Sequence, residues 1–135
     1  MNYLITPFLA WLVAGGLKFL INSIQAKKLA FHLIGYGGMP SNHSAIVSST
    51  TILIAQDVGI HHPAFGVALT LAFIVLLDAN SLRRQIGKQA TVINQLSMTH
   101  KLPVLRERMG HTRWEILAGV AVGAVVATCV NQLSQ

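Results

Sequence analysis

The sequence predicts an all-α polytopic membrane protein, a bundle of four transmembrane helices with a short amphipathic interfacial helix between the third and fourth. Three observations carry that expectation. The chain of 135 residues is 53% hydrophobic and only 10% charged, a balance unsuited to a soluble domain. Its apolar residues gather into long stretches near the ~20 residues that cross a bilayer core. Its basic residues, with one exception, fall between those stretches. The length leaves room for a single domain over 1–135.

The first stretch runs over roughly 3–24 and is apolar apart from Lys18, Asn22 and a few small polar residues. It does not read as a signal peptide: a basic start is missing, the apolar run is too long, and no small-residue cleavage site follows. The second, roughly 43–60, is diluted by Ser44, Ser48, Ser49, Thr50 and Thr51, with Asp57 near its end. The third covers roughly 64–82 and the fourth 114–133. Between those two, Arg83 to Gly110 is too polar to cross. Ile86, Ala90, Ile93, Leu96 and Met98 recur there at helical spacing, the pattern of a helix lying along the interface, and Pro103 ends it.

The net charge of +6 is unevenly spread. Lys27 and Lys28 lie between helices one and two; Arg83, Arg84, Lys88, Lys101, Arg106, Arg108 and Arg113 lie between three and four. The loop Gly59-Ile60-His61-His62-Pro63 has no lysine or arginine, and neither terminus has one. The positive-inside rule then puts both basic loops in the cytoplasm and both termini outside, in the inner membrane if the source is bacterial. Little aromatic interleaving accompanies these charges, which argues against nucleic acid. Cys129 is alone, so neither a disulfide framework nor a cysteine metal site is expected.

The most informative segment is Gly37-Gly38-Met39-Pro40-Ser41-Asn42-His43-Ser44-Ala45. Glycines free the backbone, proline stops any preceding helix, and Ser41 or Asn42 can cap the next one. Amides at such a start favour an anion, and a histidine there can deliver a proton. Three clusters share its predicted membrane face: Asp78-Ala79-Asn80-Ser81-Leu82-Arg83-Arg84, Gly110-His111-Thr112-Arg113-Trp114-Glu115, and Lys18. His111 and Glu115 are four apart, so a carboxylate can orient the imidazole. The same face continues through Gly119, Gly123 and Ala127, small residues that admit a close helix neighbour.

With Gly87-Lys88-Gln89-Ala90, these anchors make the chain resemble the divergent branch of the type 2 phosphatidic acid phosphatase (PAP2) superfamily, related to acid phosphatases and vanadium haloperoxidases. The resemblance covers nearly the whole chain. It implies that Pro40-Ser41-Asn42-His43 corresponds to a Pro-Ser-Gly-His motif, with Ser41, Asn42 and nearby amides holding phosphate and His43 protonating the leaving oxygen. It implies that His111 attacks phosphorus while Glu115 orients it, and that Arg83 or Arg84 binds phosphate. Lys18, or else Lys27 or Lys28, would stand for the first motif's basic residues. The chain departs from the pattern in having Asn42 for glycine and Glu115 for aspartate, and in setting the arginines far ahead of His111.

The implied activity is hydrolysis of a phosphomonoester or diphosphate, phosphorylated lipid or other phosphate ester, through a phosphohistidine, with no metal and no cofactor. The alternative is a non-catalytic protein that binds or transports lipid phosphate. Vanadate-dependent halide oxidation fits a small membrane chain poorly. Each residue also has a plainer reading. Lys18 could snorkel, Lys27 and Lys28 could set orientation, and Asp78 could pair with an arginine. His32 reads as interfacial, His61, His62 and His100 as solvated, and Lys101, Arg106 and Arg108 as charge facing membrane lipids. Four short helices enclose little volume, which leaves room for a homo-oligomer.

Overall fold

Asn2–Ala26 forms the first helix, α1, in a computed structural model that describes residues 2–27, 38–96 and 103–134. Then come α2 (Asn42–Asp57), α3 (Pro63–Asn80), α4 (Leu82–Leu96) and α5 (Arg113–Leu133). The described residues contain no strand. Gly37, Lys28, His32, Met98, His100 and Lys101 lie outside them.

Among the described residues three helices, not four, are long and apolar enough to cross a membrane: α1, α5 and the run holding α3. The stretch expected as the second span is α2, only 16 residues long, which at about 1.5 Å per residue falls short of a ~30 Å hydrocarbon core. Its position explains its composition. α2 packs against α1, α3 and α5, and Ser44, Ala45, Ser48, Ser49, Thr51 and Leu53 are all buried there. A helix wrapped by other helices need not dissolve in lipid, so hydroxyls are tolerated once bonded. Ser48 donates to the Ser44 carbonyl (2.6 Å), Ser49 to Ile46 (2.9 Å) and Thr51 to Val47 (2.8 Å). The large apolar residues instead face outward, with Phe8, Leu12, Val67, Phe73 and Trp114 all well exposed. That inversion, polar inside and apolar outside, is the signature of a protein whose solvent is lipid.

The core is made of small residues: Ala10 and Ala14 of α1, Ala45 of α2 and Val126 of α5. Gly119 and Gly123 of α5 lie directly on α2. A Cβ at Gly119 would stand 2.8 Å from Ser44 Cβ, and one at Gly123 would stand 2.6 Å from the Ala45 carbonyl oxygen. Closeness of backbones gives the dispersion contacts that hold helices together in lipid.

The polar ends follow from capping. His62 caps α3 through Nδ1, accepting from Ala64 N–H (3.2 Å), with Pro63 at the first helical position. α3 stops at Asn80, and Ser81 begins the turn into α4. Arg83 and Arg84 therefore stand on α4 rather than on the end of the third span. Ile86 and Ile93 of α4 stay exposed, as an interfacial helix requires. Its opposite side meets the returning chain. Asn94 Nδ2 donates to Leu105 O and Asn94 Oδ1 accepts from Leu105 N–H, both at 2.8 Å, and Gly87 lies on the Glu107 backbone.

Candidate functional site

The first turn of α5 carries the best-ordered chemistry. Gly110 takes φ of 87°, a left-handed conformation that glycine permits, and its missing Cβ leaves room for Arg84. The His111 N–H then donates to Ala79 O at 2.9 Å, tying this turn to the end of α3. Thr112 caps α5, with its hydroxyl accepting from Glu115 N–H (3.2 Å) while Glu115 Oε2 accepts from Thr112 N–H (2.9 Å). That reciprocal capping box immobilises the carboxylate. The same Oε2 accepts from His111 Nδ1 at 3.1 Å. With the proton held on Nδ1, Nε2 of His111 keeps its lone pair. Burial of the ring, 7% exposed, pushes its pKa below the ordinary imidazole value, against the Glu115 bond that raises it. His111 is thus neutral at pH 7, the form a nucleophile needs.

The turn into α2 faces it. The Ser41 N–H donates to Glu115 O at 2.9 Å, joining the two helix starts. Ser41 is the N-cap of α2 and is fully buried; its Oγ accepts from Ser44 N–H (3.4 Å) and from Ser44 Oγ (2.9 Å). Its hydroxyl thus serves the helix start. Asn42, the first residue of α2, is partly buried, and its Oδ1 is buried without a partner. His43 is exposed beside it, and its Nε2 accepts from Arg83 Nη2 at 3.3 Å. Lys18 projects from α1, partly buried, within electrostatic range of Glu115, His43 and His111.

One end of the bundle therefore gathers Lys18, Ser41, Asn42, His43, Arg83, His111 and Glu115. Arg84 is not among them: it packs its stem on Gly110 and lines a groove with Asn80 and Lys88. Lys27 lies exposed beyond α1. Asp78, expected to pair with an arginine, forms no ion pair among the described residues, and its carboxylate is exposed. His61 and His62 sit at the far end of α3. Sequence reading missed the capping box, although Thr112-x-x-Glu115 ahead of an apolar run is its signature. It also missed Asn22, which borders Gly38 in the turn before α2.

Comparison with known proteins identifies the family to which the chain is similar. The model of a family described as "Divergent PAP2 family" matches residues 1–126. The chain is 31% identical to the "Uncharacterized membrane protein YuiD" of Bacillus subtilis (strain 168) over 141 residues, covering 91% of this chain and 89% of the relative. No solved structure gives a significant match.

Proposed function

The chain belongs to the divergent PAP2 family, and on that premise we propose that it is a membrane-embedded, metal-independent phosphatase acting on a phosphomonoester or diphosphate, with a lipid as the natural carrier. The observation that supports this most is the meeting of His111–Glu115 with Arg83–His43 beside Lys18.

In the reading we favour, Lys18 and Arg83 hold the phosphoryl oxygens and neutralise charge as it develops. His111 Nε2 attacks phosphorus, forming the N–P bond as the P–O bond to the leaving group breaks. Glu115 keeps the Nδ1 proton in place and stabilises the positive ring. His43, protonated, gives its proton to the departing alkoxide. At rest the unprotonated Nε2 of His43 accepts from Arg83; as Arg83 moves to phosphate, that nitrogen takes up a proton brought by the substrate's phosphoryl group and delivers it to the leaving oxygen. Water then attacks phosphorus, His43 takes its proton, the N–P bond breaks, and phosphate leaves with His111 neutral again.

One observation favours the alternative, binding or transport of lipid phosphate without turnover. The Ser41 hydroxyl, a phosphate ligand in the resemblance, is buried in the cap, and Asn42 replaces the small glycine beside it. Phosphate release from a panel of lipid phosphates, by purified protein in detergent, separates the two. A phosphatase loses at least about 100-fold in rate in His111→Ala and His43→Ala, with chelator making no difference. Activity no greater than in those variants on any substrate supports the binding protein, and chelator-sensitive activity overturns the metal-free mechanism.

A further inference from the structure

Between α4 and the returning segment lies an open groove of about 550 Å³. Arg84 and Lys88, four apart on α4, form one wall, and Glu107 of the returning segment forms the other. Among the described residues neither cation forms an ion pair. Glu107 is occupied by neutral donors instead: Thr91 Oγ1 donates to Oε2 (3.0 Å) and Asn94 Nδ2 to Oε1 (2.8 Å). Those bonds hold its carboxyl below the ordinary carboxylate value, so it is ionised at pH 7. Asn80, also on the wall, carries a buried Oδ1 that lacks a donor.

Two cations and one carboxylate leave a single net positive charge, the complement of a phosphodiester monoanion. A monoester dianion would set excess negative charge against Glu107. The acceptors Glu107 and Asn80 call for a hydrogen-bond donor on the same ligand. Exposed Val104 and Leu105 on the returning segment, close in the chain to Glu107, offer seats for acyl chains. We propose that this groove holds the head group of a membrane phospholipid of the phosphoethanolamine type, with its phosphodiester on Arg84 and Lys88 and its ammonium toward Glu107. This site is separate from the His111 site and does not depend on turnover there.

The test titrates the full chain in detergent with water-soluble, short-chain phosphatidylethanolamine, phosphatidylcholine and phosphatidylglycerol, and with inorganic phosphate, read by calorimetry. Phosphatidylethanolamine should bind about tenfold more tightly than phosphatidylcholine, whose quaternary ammonium cannot donate a hydrogen bond. Arg84→Gln with Lys88→Gln should weaken it by about tenfold or more, as loss of charge-assisted bonds to phosphate does. Glu107→Gln should keep binding but erase the preference over phosphatidylcholine. His111→Ala should leave all of this unchanged, which keeps the result distinct from the phosphatase reading. Equal binding of the ethanolamine and choline lipids by the unmodified protein overturns the proposal without recourse to any variant. So does tighter binding of phosphatidylglycerol, or of inorganic phosphate, that Arg84→Gln with Lys88→Gln abolishes, which would mark a plain anion site in the groove.

Discussion

Glu115 Oε2 accepts two hydrogen bonds, one from the Thr112 N–H and one from His111 Nδ1, so a helix cap also positions the candidate nucleophile. Because that carboxylate raises the His111 pKa while burial lowers it, the two roles can be separated by titration. Activity should fall as pH drops below the ordinary imidazole value of 6.5, through the depressed pKa of His111, because protonation removes the attacking lone pair. In Glu115→Gln the raising influence is lost, so the acid limb of kcat/KM should move to lower pH. Gln can still accept from the Thr112 N–H, so the melting temperature should change little. The rate should nevertheless fall by about 100-fold, since the ring loses its charged partner. An acid limb that stays put would mean that Glu115 serves only the cap. The pairing itself was readable as a four-residue spacing in the sequence. The division between Arg83 and Arg84 was not, because neighbours on a helix diverge by about 100° and everything turns on where α3 gives way to α4.

Among the elements, α2 is the one that apolarity misjudged. A window of sequence reports how a helix would fare in lipid, but α2 lies against α1, α3 and α5, where bonded serines cost little. The small-residue stripe on α5 was legible because its period is helical, although the sequence did not name its partner. The contact with α2 carries a direct consequence. Gly123→Ala places a Cβ 2.6 Å from the Ala45 carbonyl and 2.9 Å from the Ser49 nitrogen, both backbone atoms that cannot turn aside. The helices must separate, at a cost of about 1–3 kcal/mol. Gly16→Ala in α1 meets nothing within 4 Å and should be neutral or stabilising by up to about 1 kcal/mol, since alanine is the better helix former. Thermal denaturation in detergent of the two variants side by side checks this; equal melting temperatures would remove the α2–α5 contact from the account of stability.

At the scale of the whole molecule, the two ends of the bundle differ in chemistry. Tyr3 bonds to Asp57, joining the start of α1 to the end of α2, and no lysine or arginine occurs in the loop from α2 to α3. The opposite end holds His43, Arg83 and His111, and seven of the ten basic residues lie between positions 83 and 113. Arg83 is a candidate ligand for phosphate, so its charge is weak evidence for orientation. Arg108 and Arg113 belong to neither proposed site and point the same way. Cytoplasmic retention of these short basic segments would set the candidate site against the inner leaflet, where it would meet a lipid phosphate at head-group depth. In a Cys129→Ser background, a cysteine at Arg108 should resist an impermeant maleimide in intact cells and react after permeabilisation, whereas one at His61 should react in both. Labelling of Arg108→Cys in intact cells would reverse the orientation and with it the leaflet from which substrate is drawn, because His111 and the basic segment share one end of the bundle.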